Sequence, residues 1–234
     1  MGLTRQARLI SIDGSDCTGK STLTQNLSDR FTQEGHKVKV LHFPRYDTPV
    51  GKLIKAHLSG EFKMDVGAFQ YLYIADQMDY TRNDLVQDMD EYDYIIFDRY
   101  KDSSLVYFMA NKPRNFCTKD NLSFYSEDME HINEEGRRLK DAQAYICEPD
   151  YKIILHAKEE VLQKRLDEKE KDVHESDFDF MKNVNSLYRD LTRMFPGRQY
   201  SPTMTIDVSD KTAEEVLLHV DNFIKEEEGY QWTE

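Results

Sequence analysis

Cysteine is scarce, basic charge is outnumbered, and long apolar runs are missing from these 234 residues. The three cysteines, Cys17, Cys117 and Cys147, are far apart and form no CxxC pair. That spacing excludes a disulfide framework or a cysteine-rich zinc site and suits a reducing compartment. The 31 Lys and Arg are outweighed by 44 Asp and Glu, a net charge of −13. A chain so acidic is repelled by nucleic acid and by anionic membranes, so a broad polyanion surface is excluded while a small phosphate pocket is not. No uncharged apolar stretch reaches the roughly 18 residues that cross a bilayer. The opening residues carry neither the apolar core of a secretory signal nor the serine or threonine that myristoylation prefers. The expectation is a cytoplasmic protein without membrane or nucleic-acid partners. No repeat and no Gly/Ser or Pro linker divides the chain, so a single domain over 1–234 is expected.

What is present is a core. Hydrophobic residues are 39% of the chain, with 14 Tyr and 12 Phe, which excludes wholesale disorder. Short β-branched runs alternate with helical periodicity. Strands are predicted at 9–12, 38–43, 94–97, 152–155 and 204–208. Helices are predicted at 20–34, 50–59, 66–89, 102–110, 126–145, 158–166, 177–194 and 212–227. Strand–helix alternation implies βαβ units, a five-stranded, mostly parallel sheet and a three-layer α/β sandwich with helices on both faces. Two polar excursions stand out, at 111–126 and 167–176. The second gives a mobile lid over about 164–176.

The sharpest motif is Gly14-Ser15-Asp16-Cys17-Thr18-Gly19-Lys20-Ser21, a complete GxxxxGK[ST] match between an apolar strand and an amphipathic helix. Glycines there let successive N–H groups turn inward onto phosphate oxygens, and the helix N-terminus adds positive charge. Lys20 is expected on the β- and γ-phosphates and Ser21 on Mg²⁺, with Thr22 next along the helix. A nucleoside triphosphate and Mg²⁺ are therefore the expected ligands. A GTPase would show NKxD, and the nearest candidate, Asn111-Lys112-Pro113-Arg114, lacks the aspartate.

Four islands in order then resemble the thymidylate kinases, which phosphorylate dTMP to dTDP with Mg·ATP. They are SIDGSDCTGKST at 11–22, FPRYDTPVGKLI at 43–54, YLYIADQMD at 71–79 and IIFDRYKDSSLVY at 95–107. DVHESDFDFM at 172–181 resembles the segment after the lid in some members. The resemblance implies a P-loop kinase fold, dTMP and ATP as substrates, and a homodimer. It implies that Asp16 lies near the acceptor sugar and metal, that Asp98 holds Mg²⁺ with Ser21, and that Arg99 binds the phosphates being joined. By the same resemblance Phe43, Pro44, Arg45 and Tyr46 border the acceptor cleft, with Arg45 open between acceptor binding and an ion pair. Tyr73 occupies the place of the aromatic that stacks on thymine, and Ser103, Ser104 and Tyr107 border base and sugar.

Two departures from the family pattern bear on function. Gln77 stands where the family has a thymine-binding arginine, and a glutamine both donates and accepts whereas an arginine only donates. A deoxynucleoside monophosphate kinase of broader range, including 5-modified pyrimidines, is thus the alternative reading. A deoxynucleoside kinase or a non-enzymatic nucleotide switch ranks below it. Cys17 replaces an arginine that some members carry in the phosphate loop. With Arg165 assigned to the preceding helix, Lys169 or Lys171 of the lid is expected to supply the missing catalytic charge. The histidines at 36, 42, 131, 156, 174 and 219 show no metal-ligand spacing and are expected to be structural or at the surface.

Overall fold

The computed structural model describes residues 7–111, 127–168, 178–194 and 201–230. The expected excursions fall largely outside them, including Cys117, His174, and both lid lysines, Lys169 and Lys171. Five strands form one sheet: β1 (Arg8–Gly14), β2 (Val38–His42), β3 (Tyr94–Asp98), β4 (Tyr151–His156) and β5 (Thr203–Asp207). Their order is β2-β3-β1-β4-β5 and every described pairing is parallel. The fold is therefore the expected three-layer α/β sandwich of P-loop kinase type.

The strands alternate their apolar side chains between two cores, as a sheet covered on both faces requires. On one side Ile10, Ile12, Ile96 and Ile153 meet Leu23, Leu27 and Phe31 of α1 (Lys20–Gln33) and Val220 and Ile224 of α9 (Ala213–Tyr230). On the other, Leu9, Ile95 and Phe97 pack under Ile74 and Tyr80 of α3 (Val66–Asn83) and Phe108 of α5 (Lys101–Ala110). A third cluster joins Val106 and Ile154 to Val184, Leu187 and Tyr188 of α8 (Phe178–Met194). Each of these buried side chains contributes roughly 1.5–3 kcal/mol relative to exposure.

One expected element is corrected. The predicted helix 66–89 is two helices, α3 and α4 (Leu85–Glu91), with Asp84 between them at φ −114°. The turn has a packing cause: it carries Leu85 into the same apolar cluster as Tyr80 and Phe97. It also brings Asp88, itself buried, to the Tyr80 hydroxyl at 2.8 Å and the Lys39 ammonium at 2.7 Å. The remaining described helices are α2 (Pro49–Leu58), α6 (Glu127–Ala142) and α7 (Glu159–Asp167).

The sheet order places function. β1 is central, and the chain leaves it toward β2 on one side and later returns to β4 on the other. Ligands of open α/β sheets bind beyond the carboxyl ends of strands at such a reversal. The parallel register sets Asp98 beside Ile12 and Gly14 beside Leu155, so the ends of β1, β3 and β4 converge on one rim.

Candidate active site

β1 runs straight into the phosphate loop, and α1 begins at Lys20. Gly14 is required by crowding: a Cβ there would stand 2.5 Å from the Leu155 carbonyl oxygen across the strand pair. Gly19, at φ +89°, takes a left-handed conformation natural to glycine at the helix entrance. The loop is tied down from inside. Thr18 Oγ1 donates to the Ser15 carbonyl at 2.7 Å, and Ser15 Oγ donates to Asn185 Oδ1 at 3.1 Å. Asn185 is itself fixed on both sides of Ala157, accepting from its N–H and donating to its carbonyl.

Lys20 is buried, and its Nζ donates to the Ser15 carbonyl at 2.7 Å, with an Asp16 oxygen 3.7 Å away. Burial and then the neighbouring Arg99 cation lower its pKa to about 8. The ammonium is charged below that value and is lost above it. The expected outcome is that kcat/KM for Mg·ATP, which reports the free enzyme, declines as pH rises through about 8. A profile flat to pH 9.5 would contradict this.

Ser21 Oγ donates to Asp98 Oδ2 at 3.1 Å, and His42 Nδ1 lies 3.1 Å from the same carboxylate oxygen. A hydroxyl and a carboxylate at this spacing are hard oxygen donors that suit Mg²⁺. Among the described residues no group of three or more His, Cys, Asp or Glu could hold a metal.

Arg99 sits at φ +65°, its N–H bonded to the Ile12 carbonyl at 3.0 Å. An outlier backbone at a strand end re-aims the side chain, and such positions cluster at functional sites. Its guanidinium donates to the Asp16 carboxylate and lies 3.4 Å from the Tyr107 hydroxyl and 3.5 Å from the Gly14 carbonyl. Tyr107 in turn donates to Asp16 at 3.1 Å. Behind them, Asp13 takes hydrogen bonds from Ser103 Oγ and the Tyr100 N–H, and Ser103 meets the Tyr188 hydroxyl at 2.8 Å. Burial, then repulsion from Asp102, pushes the Asp13 carboxyl up to about 6.

Next to Arg99 opens a cavity of about 160 Å³. Asp16 and Arg99 form one part of its wall, Pro44 and Tyr46 another, and Phe69, Gln70 and Tyr73 of α3 a third. Ser103, Ser104 and Tyr107 complete it from α5. Most expected acceptor residues are thus brought together, and three are not. Phe43 is a core residue, packed edge-on against Phe97 at 5.8 Å. Arg45 takes the ion-pair branch: Asp76 Oδ1 is 3.0 Å from Nε, Asp79 Oδ2 is 2.7 Å from Nη2, and Asp84 Oδ2 is 3.3 Å from Nη1. Gln77 is 2% exposed and absent from the cavity wall.

The Arg45 pairing has a stability consequence, because Asp76 is fully buried. Removing one partner strands the other's charge, which costs about 3–5 kcal/mol. Arg45→Ala, which strands the buried Asp76 carboxylate, should therefore lower the melting temperature by roughly 6–20 °C. A melt within about 2 °C of wild type would contradict the pairing's role.

Arg165, His57 and Gln70 escaped sequence reasoning. Arg165 does belong to α7, yet its Nη1 donates to the Cys17 carbonyl at 3.0 Å, so it reaches the phosphate loop from 148 positions away. His57 lines the cavity with its ring 4.0 Å from that of Phe69. Helical spacing within α2 carries no signal for it, since its neighbour lies on another helix.

The thymidylate kinase family model matches residues 12–129, half of the chain. The chain belongs to the thymidylate kinase family. The probable thymidylate kinase of Methanocaldococcus jannaschii is 26% identical over 215 residues, covering 92% of both chains. The thymidylate kinase of Mycobacterium tuberculosis is 26% identical over 196 residues, covering 78% of this chain and 85% of that one. The structure of thymidylate kinase from Candida albicans superposes with a TM-score of 0.70 at 23% identity, covering 95% and 93% of the two chains, a likeness of fold. Membership makes this chain a phosphotransferase. It also implies ATP as donor to the loop around Lys20. Gln77, where the resemblance leads one to expect an arginine, is buried and does not line the cavity beside Arg99.

Proposed function

We propose that this thymidylate kinase family member transfers the γ-phosphoryl group of Mg·ATP to dTMP, giving dTDP, with Arg99 at the meeting point of the two substrates. The observation that carries the reading is the position of Arg99. Its guanidinium touches the phosphate loop at Gly14 and Asp16, and it also lines the cavity that Tyr73 and Tyr46 wall. Two phosphates that must approach one another repel, and a fixed guanidinium with several donors offsets that repulsion. Lys20 adds a second cation at the start of α1. Ser21 and Asp98 would hold Mg²⁺, which supplies further neutralisation of the β- and γ-phosphate charge. No side chain needs to form a covalent bond; alignment and charge compensation in a water-poor site carry the rate.

In the acceptor cavity Tyr73 offers a ring for stacking on the base. Tyr107, held by Asp16 and Arg99, would occupy the space of a ribose 2′-hydroxyl. Arg165 contributes a guanidinium at the phosphate loop from the last turn of α7, complementing the charge proposed for Lys169 and Lys171. The unit is proposed to span 1–234 and to assemble as a cytoplasmic homodimer, which sedimentation of the purified chain tests. Among the described residues no helix is long and apolar enough to cross a membrane. The functional test is ADP formation from Mg·ATP against a panel of nucleoside monophosphates. ADP should appear with dTMP and remain at background without an acceptor; equal rates in both arms would contradict the reading.

A further inference from the structure

We infer that Gln70 reads the acceptor's base, a role for which the family position is occupied by Gln77; the inference rests on the assignment of the cavity to a nucleoside monophosphate. The stripe of α3 that faces the cavity is Val66, Phe69, Gln70 and Tyr73, the three-, four- and seven-residue spacing of one helix face. Within that stripe Gln70 carries the carboxamide. It is 2% exposed, and its Oε1 is buried without a hydrogen-bond partner. Gln77 lies two turns further along, is equally buried and also has an unpartnered Oε1, but it does not line the cavity. Two stranded amide oxygens therefore exist, and one of them belongs to a side chain that a ligand can touch.

A carbonyl oxygen removed from water and given no donor is costly, and a ligand N–H that reaches it recovers that cost on binding. The chemistry of the orphan defines the ligand. An acceptor oxygen calls for a ring N–H, and a carboxamide pairs best with an N–H flanked by a carbonyl, since its NH₂ then donates to that carbonyl. Thymine and uracil present this imide edge at N3 and O4. Cytosine presents a lone pair at N3, which would face the Gln70 oxygen. Tyr73, one turn on, offers its ring to the face of the base, and Phe69 meets that ring edge-on at 5.2 Å, so the reading amide and the stacking ring come from one rigid helix. A site built around a hydrogen bond to a substrate N–H discriminates strongly against analogues lacking it, because its own polar group is then left unpaired.

The test is steady-state kinetics with Mg·ATP on dTMP, dUMP and dCMP for wild type, Gln70→Leu and Gln77→Leu, together with dTMP affinity by calorimetry without ATP. In Gln70→Leu the dTMP KM and dissociation constant should rise roughly ten- to hundredfold. The ATP KM should stay within about twofold, and the dTMP-over-dCMP ratio of kcat/KM should shrink by the factor lost for dTMP. A folded Gln70→Leu protein with an unchanged ratio overturns the inference, as does collapse of the ratio in Gln77→Leu instead. Should Gln70→Leu fail to fold, Gln70→Glu decides: it keeps the length and loses the donor to O4, so dTMP affinity should again fall, and unchanged affinity overturns the inference. A wild type that phosphorylates none of the three acceptors overturns the functional reading itself, which is a separate outcome from an active wild type indifferent to Gln70.

Discussion

Lys20→Ala is expected to lower kcat for phosphoryl transfer by at least about a hundredfold, the scale seen when one preorganised charge-stabilising donor is removed. The side chain starts α1, and its ammonium already lies against the loop that would wrap the phosphates, 2.7 Å from the Ser15 carbonyl. Its pKa, lowered to about 8, shows that burial opposes the charge that it carries. A buried cation kept against that opposition contributes little to folding, so its removal should leave the thermal melt unchanged or slightly higher. Single-turnover rates beside a melting curve separate the two effects. Activity within about tenfold of wild type would remove Lys20 from the reacting centre.

Arg99→Lys should raise the acceptor KM and lower kcat together, by roughly tenfold or more each. The guanidinium contacts the Asp16 carboxylate and stands near both the Gly14 carbonyl and the Tyr107 hydroxyl. Those contacts use several donors of one planar group whose direction is set by a left-handed backbone at φ +65°. A lysine ammonium is a compact point charge and cannot hold Asp16 and two phosphates in the same plane. Initial-rate kinetics with dTMP varied at saturating Mg·ATP give both constants. Unchanged constants in a folded Arg99→Lys protein would make Arg99 a structural residue.

The parts legible from the sequence are those whose chemistry is contiguous. The phosphate loop occupies eight successive positions between a strand and a helix, and both neighbours are local patterns. Asp98 and Arg99 are singled out by the family resemblance at the end of an apolar strand, and the parallel register puts Asp98 beside Ile12. What stayed hidden depends on contacts between distant positions. Arg45 is 31 positions from Asp76 and 39 from Asp84, so its choice between acceptor and ion pair is made by where the segment after β2 meets α3. The break at Asp84 follows from where Leu85 finds an apolar neighbour, which periodicity alone does not state. Helical spacing groups Gln70, Tyr73 and Gln77 on one face but gives no depth, and depth decides which amide meets a ligand. Arg165 reaches the phosphate loop from α7 across 148 positions of sequence, a tertiary fact.

The most direct measurement follows the fate of the γ-phosphoryl group from radiolabelled ATP in the presence of Mg²⁺, with and without dTMP. The expected result is label transferred to dTDP, one ADP formed per dTDP, and ATP left intact when dTMP is withheld. Label released as inorganic phosphate at a rate indifferent to dTMP would contradict a site built to join two nucleotides at Arg99.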